Sequence, residues 1–173
     1  MDISSRTVFL NIIRFFFLIF FQVLILNNLN LGGYVNPYFY ILFILLLPFN
    51  TPKWLLLLSS FLLGLGVDIF TNTIGLNAAA CVLMAFSRPF VITIISDAPD
   101  SLIGDTPSIK NQGLKWFLYY VISMVLIHHF ALFYLEIFRF SEFFNTLLRV
   151  LLSSAFTIGL ILICEYLFYY NRK

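Results

Sequence analysis

Charge is scarce in this chain. Only 10% of its 173 residues are charged, and the formal net charge is +2. The ten Lys and Arg residues are scattered, with no basic run longer than Arg172-Lys173, which argues against a nucleic-acid partner. Hydrophobic residues make up 61% of the chain. They form blocks that reach the ~20 residues a helix needs to cross a bilayer. We therefore predict a polytopic membrane protein surrounded by a lipid bilayer.

The sequence also has few of the residue patterns on which enzymes and cofactor sites depend. Cys81 and Cys164 fall in apolar segments near opposite expected surfaces, so we predict packing side chains rather than a disulfide. No glycine-rich loop precedes a lysine, and no serine or cysteine lies in a nucleophile motif. His128 and His129 are candidate metal ligands with Glu136, but adjacent helical residues point apart and the zinc-protease signature is missing. We expect no catalytic residue, cofactor or metal.

Six apolar segments can be drawn along the chain. They cover about residues 7–28, 34–48, 54–70, 76–95, 114–135 and 146–169, and the longest hydrophilic stretch is 96–113. Lipid offers backbone amides no partner, so each segment is expected to be a helix. The prediction is a single all-α integral membrane domain over residues 1–173, a bundle of six transmembrane helices. The second segment spans only about 22 Å as a helix, so a re-entrant or half-spanning element is the alternative there.

The placement of basic residues predicts the orientation of the bundle. The first segment carries Arg14 and Gln22 and lacks a small-residue cleavage site, so it is expected to be retained as a helix. With the N-terminus inside, only Arg139 and Arg149 fall on the outer side. The inner set is Arg6, Arg14, Lys53, Arg88, Lys110, Lys115, Arg172 and Lys173. Because cytoplasmic loops are enriched in Lys and Arg, we expect both termini and the 96–113 loop in the cytoplasm.

Asp68 is the strongest single candidate for a functional residue, because it is an ionisable side chain at the end of an apolar segment. An ionisable group in a membrane helix is costly and by default suggests function. The next helix begins within about eight residues, so the carboxylate could instead accept N–H bonds at its start. We favour this capping role, with partner contact and ligand binding as alternatives. Small residues near Asp68, namely Gly64 and Gly66 with the alanines 78–80, predict a close contact between the third and fourth helices. Gly75 and Asn77, in and after the turn, are further structural or partner-contact candidates.

Charged residues at similar depth predict a second cluster nearer the inner surface. Arg88-Pro89 lies in the inner half of the fourth segment, Arg14 in the first and Glu165 in the sixth. We expect Glu165 to pair with one arginine while the other extends to the headgroups. A proton relay would use the same residue types, but no acid lies at mid-membrane. A structural cluster that includes Arg88 and Glu165 is therefore favoured.

One stretch resembles a known family signature. The sequence Phe61-Leu-Leu-Gly-Leu-Gly-Val-Asp-Ile-Phe-Thr-Asn-Thr-Ile-Gly-Leu-Asn-Ala-Ala-Ala80 resembles that of MreD, the bacterial rod shape-determining membrane protein. That pattern is a glycine-bearing helix ending in Asp-apolar-Phe, a polar turn, then Gly-Leu-(His or Asn)-Ala-Ala. The run Ala85-Phe-Ser-Arg88-Pro89-Phe90 resembles the Bacteroidetes branch of the family. The pair His128-His129 followed by Leu135-Glu136-Ile-Phe138 does so as well.

The resemblance implies a scaffold rather than an enzyme. Members of this family sit in the bacterial inner membrane and pair with MreC, a single-span protein, near the RodA-type glycan polymerase and its transpeptidase. It also implies a six-helix bundle resembling the substrate-binding subunits of energy-coupling-factor vitamin transporters. Such a vitamin-binding subunit is the alternative function, and it would need convergent polar groups near the outer face. The outer candidates are Asn27, Asn28, Asn30, Asp68, Asn72, Asn77, Glu136 and Arg149.

Overall fold

The regular structure of the described chain is entirely helical. The computed structural model describes residues 5–29, 35–73, 75–96, 102, 106–137 and 143–170. Its α-helices are α1 (Ser5–Leu24), α2 (Leu42–Leu45), α3 (Lys53–Thr71), α4 (Leu76–Ile95), α5 (Ile109–Gln112), α6 (Leu114–Ile137) and α7 (Phe143–Tyr170). Short 3-10 turns cover Leu26–Asn28 and Phe39–Ile41.

Five helices in this described set are long and apolar enough to cross a membrane. They are α1 with its following turn (Val8–Asn28), α3, α4, α6 and most of α7 (Phe143–Leu167). Large apolar side chains point outward from them, including Phe9, Phe17, Ile69, Ile94 and Phe144. A soluble chain rarely exposes so much apolar surface. The prediction of an all-α membrane protein holds at this level, whereas the described residues contain five candidate spanning helices and not the predicted six.

The second apolar segment differs from the predicted spanning helix. Within residues 36–48, called the central segment below, helical hydrogen bonding covers only a 3-10 turn and α2. Pro37 and Pro48 lack a backbone N–H and limit the helix on both sides. The segment is the most buried part of the chain, and Tyr40, Ile41 and Ile44 have no exposed surface. The central segment is therefore enclosed by the long helices and is not itself a lipid-facing helix of the bundle.

The central segment returns the chain from one end of the bundle to the other. Near the start of α1, Val8 lines the same groove as Leu55 near the start of α3. Near their other ends, the rings of Phe20 and Phe70 lie 6.2 Å apart. The helices α1 and α3 therefore run in the same direction, and residues between them must cross back. We call the end where α3 starts the Pro48 end, and the end where it stops the Asp68 end.

The remaining helices enclose the central segment. α4 packs against both α3 and α6, and α6 packs against α7. The shared core between them includes Met84, Phe117, Met124 and Ile161, all fully buried. Much of the predicted 96–113 loop lies outside the described residues, but its end forms α5. Arg139, Arg172 and Lys173, which were used to predict the orientation, are also outside them.

Candidate functional site: a buried polar network around the central segment

Asp68 caps the start of α4. Its Oδ1 accepts the backbone N–H of Asn77 at 3.1 Å, and its Oδ2 accepts that of Ala78 at 2.9 Å. These amides lie in the first turn of α4, where no helical carbonyl is available. The N-cap position itself is Gly75, which adopts a left-handed conformation (φ 72°) and has no side chain to cap the helix. Asp68 on the preceding helix takes that role, and its side chain is 2% exposed.

Gly64 allows the backbones of α3 and α4 to touch. A Cβ atom at Gly64 would lie 2.5 Å from the Ala78 Cα and 2.5 Å from the Asn77 carbonyl oxygen. Gly66 was expected at the same interface, but it faces α1, where an added Cβ would meet the Ile19 side chain. The reason is geometric: residues two apart on a helix point to nearly opposite sides. Asp68 and Gly64, one turn apart, share the α4 side.

A chain of hydrogen bonds leads inward from this cap. The Asn77 amide group donates to Asp68 Oδ1 at 3.0 Å, and its Oδ1 accepts from the Tyr40 hydroxyl at 2.9 Å. Tyr40 lies in the central segment, and its hydroxyl is also 3.0 Å from His128 Nε2. The single hydroxyl proton of Tyr40 is used on Asn77, so His128 Nε2 must donate to Tyr40. The network joins α3, α4, α6 and the central segment.

His129 is connected to the central segment through Thr157 of α7. His129 Nε2 lies 3.3 Å from the Thr157 hydroxyl oxygen, and that oxygen accepts the backbone N–H of Tyr38 at 3.1 Å. One turn earlier on α7, the Ser153 hydroxyl accepts the backbone N–H of Asn36 at 3.1 Å. Both histidines therefore support the central segment. Within the described chain, no three His, Cys, Asp or Glu side chains are placed to hold a metal ion.

Gln22 of α1 satisfies three backbone groups at the Asp68 end of the central segment. Its Oε1 accepts the N–H of Phe39 at 2.9 Å, and also that of Tyr40 at 3.4 Å. Its Nε2 donates to the Pro37 carbonyl at 2.8 Å. Irregular backbone at membrane depth is tolerated only where such partners exist. Gln22 thus provides the hydrogen-bond partners that the backbone of a regular helix would provide for itself.

Arg88 of α4 binds backbone carbonyls at the Pro48 end of the central segment. Its guanidinium donates to the Leu47 carbonyl and, at 3.5 Å, to the Pro48 carbonyl. Its Nε donates at 2.9 Å to the Tyr120 hydroxyl, which in turn donates to the Leu45 carbonyl at 3.1 Å. Arg88 is 2% exposed. The side chain points into the bundle because the uncapped end of α2 offers acceptors there.

This placement differs from the predicted cluster of Arg88 with Glu165. Glu165 of α7 instead lines a cavity of about 210 Å³ with Arg14 of α1, and Arg88 is not among the lining residues. Pro89, inside α4, cannot donate to the carbonyl one turn back. It lines a separate groove with Lys53 and Phe90. The predicted inner cluster is therefore divided: Arg88 binds the central segment, whereas Arg14 and Glu165 line a separate cavity.

Most of the outer polar candidates are engaged in internal contacts, whereas Asn72 is exposed at the end of α3. Glu136 Oε2 lies 3.8 Å from Arg149 Nη2, and the Arg149 guanidinium stacks 4.8 Å from the Phe133 ring centre. Asn28 donates to the carbonyls of Val23 and Leu24. Asn27 Oδ1 accepts from Gln22 at 2.8 Å. With Asp68 and Asn77, these residues act as caps and braces in the structure. Asn30 lies outside the described residues.

Five residues of this network carried no functional expectation from the sequence. They are Gln22, Tyr40, Tyr120, Ser153 and Thr157, and each bonds to a backbone group or side chain far along the chain. Gln22 was noticeable as an amide in an apolar helix, and such residues seldom lack a partner in lipid. The arrangement holds a non-helical segment in place, and its chemistry is that of hydrogen-bonded support.

The comparisons with known proteins leave the family undecided. No family model, curated protein or solved structure matches the chain.

Proposed function

We propose that this protein is a non-enzymatic scaffold of the MreD type in the cell-wall elongation complex of the bacterial inner membrane. The observation that carries the proposal is the role of the signature residues. Gly64, Asp68, Asn77 and Ala78 are the contact points of one tight hairpin of α3 and α4. A signature made of packing and capping residues suits a protein that works by shape. The partners would be an MreC-like single-span protein, the RodA-type glycan polymerase and its transpeptidase.

The outer surface of this hairpin is suited to a partner helix. An apolar groove of about 590 Å³ runs along it, lined by Leu57, Phe61, Leu65, Gly75, Ala78, Ala79, Val82, Leu83 and Phe86. Ala79 is exposed in the groove, and the small side chains around it would let another backbone come close. In lipid, helices associate mainly by such close packing. We propose that the single membrane helix of the MreC-like partner lies in this groove.

The topology proposed with this function has six crossings, with the central segment as the second. That arrangement would be similar to the substrate-binding subunits of energy-coupling-factor transporters. It would place both termini in the cytoplasm, which the excess of Lys and Arg on that side supports. The Asp68 end would then face outward, toward the external domain of the partner.

Affinity purification from native membranes in mild detergent tests the proposal. The tagged chain should recover a single-span protein with a large external domain, together with a glycan polymerase or transpeptidase. Ala79→Phe fills the groove and should abolish recovery of the single-span protein. Ile94→Phe is the matched control, because Ile94 lies on the same helix, is 83% exposed and is outside the groove. Equal recovery with both variants would contradict the groove assignment.

Other partners would contradict the scaffold function itself. Recovery of paired ATPases with a coupling membrane protein would indicate the vitamin-transporter alternative. Recovery of cell-wall enzymes with Ala79→Phe as well as with Ile94→Phe would keep the function and move the partner to another surface. The two results are distinguished by the identity of the proteins that mass spectrometry finds.

A further inference from the structure

A second candidate site lies at the Pro48 end, away from the α3–α4 groove. It is the cavity of about 210 Å³ between α1, α5, α7 and the central segment. Arg14 and Glu165 face it from α1 and α7, and Lys110 and Asn111 face it from α5. The lining therefore combines two positive charges with one negative charge. Thr106 and Ser108 add hydroxyl groups on the same side.

The opposite side of this cavity is apolar. Phe17 and Leu18 of α1 line it, together with Phe39, Leu42 and Leu46 of the central segment. A soluble anion would leave these side chains without a partner. A ligand that fills the cavity must therefore carry an anionic group and a hydrocarbon part. That combination is the chemistry of a membrane phospholipid.

The cavity is placed so that such a ligand can enter from the side. Along their described lengths, α1 and α7 make few contacts with each other, because α1 packs on α3 and α7 packs on α6. Exposed apolar side chains lie close to the cavity lining: Phe17, which lines it, is 59% exposed on α1, and Ile163, next to the lining residue Cys164, is 60% exposed on α7. The volume is too small for a whole phospholipid. The phosphate and the first part of one chain would occupy the cavity, and the rest would follow the seam between α1 and α7.

We propose that this cavity binds an anionic phospholipid. The phosphate lies against Arg14 and Lys110, and an acyl chain packs on Phe17, Leu42 and Leu46. Basic pockets between membrane helices are a common arrangement for anionic headgroups, and charge-assisted hydrogen bonds to phosphate are the strong ones. The buried Glu165 carboxylate limits the site to one net positive charge, which weakens binding. The inference does not depend on the scaffold function.

Native mass spectrometry of the full chain in detergent tests the site. Phosphatidylglycerol and phosphatidylcholine with identical acyl chains are titrated separately, and phosphatidylglycerol should bind at least tenfold more tightly. Removing both cationic side chains with Arg14→Gln and Lys110→Gln should weaken phosphatidylglycerol binding about thirtyfold. Lys115→Gln is the matched control, since Lys115 is exposed beside α5 but does not line the cavity. It should leave the affinity unchanged.

A variant of opposite sign separates binding from folding. Glu165→Gln removes the negative charge from the cavity and should tighten phosphatidylglycerol binding, whereas a disturbed fold would weaken it. If the double variant does not fold, Lys110→Gln alone should still weaken binding about fivefold, because Lys110 is exposed on a short helix.

Three results would overturn the proposal. They are equal affinity for the two lipids, an equal loss with Lys115→Gln, and weaker phosphatidylglycerol binding by a Glu165→Gln protein whose thermal midpoint is unchanged. Glycerol phosphate that binds as tightly as phosphatidylglycerol would identify a soluble phosphate as the occupant and refute the lipid assignment.

Discussion

Replacing Gly64 with alanine tests the contact between α3 and α4 at its tightest point. The new Cβ would lie 2.5 Å from the Ala78 Cα, 2.5 Å from the Asn77 carbonyl oxygen and 2.6 Å from the Ala78 nitrogen. Ordinary contacts of a Cβ begin at 3.4 Å. All three neighbours are backbone atoms of a helix, so no side chain can rotate away. The two helices must move apart by about 1 Å.

The cost of this movement can be worked out from the structure. Overpacking of a rigid site costs about 1–3 kcal/mol. The Asp68 carboxylate lies one turn along α3, and parting the helices stretches its bonds to the Asn77 and Ala78 amides. Each of these bonds contributes about 1 kcal/mol. The higher helix propensity of alanine offsets up to about 1 kcal/mol of this destabilisation. We expect Gly64→Ala to lower the free energy of unfolding by about 3 kcal/mol.

Modification of Cys81 by a maleimide measures this loss. Cys81 has no exposed surface, so it reacts only when the bundle opens. The second cysteine, Cys164, is partly exposed and is replaced by serine in all variants. A loss of about 3 kcal/mol should raise the rate of Cys81 modification by about a hundredfold when opening limits the reaction through its equilibrium.

Two other glycine-to-alanine changes serve as controls of identical chemistry. At Gly66 the new Cβ would meet Ile19 Cδ1 at 2.8 Å, the end of a flexible side chain, and the cost should stay below about 1 kcal/mol. At Gly159 no atom lies within 4 Å, so alanine should be neutral or stabilising. Modification of Gly64→Ala at the rate of Gly159→Ala would refute the close contact of α3 and α4.

Four further substitutions, at three positions, test the polar network. Asp68→Ala leaves two buried amides of α4 without an acceptor and should cost about 2–4 kcal/mol, read from the thermal midpoint in detergent. Asp68→Asn keeps one acceptor oxygen and should lose less. Gln22→Leu removes the partners of Phe39 N–H and the Pro37 carbonyl, and a loss of about 2–3 kcal/mol is expected in the Cys81 assay. Arg88→Met leaves the carbonyls at the end of α2 unpaired and should lower the yield of monodisperse protein in size-exclusion chromatography. A stable Gln22→Leu or Arg88→Met protein would show that the central segment does not need these side chains.

The parts of the fold that depend on local sequence could be predicted. The bounds of α3 and α4 follow closely from the third and fourth apolar segments. Asp68 and the amides it caps are nine and ten residues apart, so the intervening turn brings them together almost inevitably. The small residues Gly64, Gly66 and 78–80 predicted a close contact of the two helices. The sequence could not tell Gly64 from Gly66, because that requires knowing where α1 packs.

The central segment could not be predicted, because its partners are far away in sequence. The bond from Tyr38 to Thr157 spans 119 residues, and the one from Asn36 to Ser153 spans 117. The apolar composition of this run is that of a membrane helix, and only its short length and the two flanking prolines indicate a different backbone. Arg88 was assigned to the inner charged cluster because its true acceptors are carbonyls, which every residue has. A hydrogen bond from a side chain to a backbone carbonyl cannot be predicted from residue types, because the acceptor is the same in every residue.

The need of the central segment for partners on α7 has a consequence for biosynthesis. Ser153 and Thr157 belong to α7, and they accept N–H groups of residues made more than a hundred positions earlier. Until α7 arrives, these amides would face lipid without an acceptor, which costs several kcal/mol each. Residues 36–48 must therefore wait at the membrane surface or in a provisional conformation while the later helices are inserted. The central segment therefore reaches its final place only after α7 is inserted, and a chain truncated before α7 leaves this segment unassembled and open to quality-control proteases.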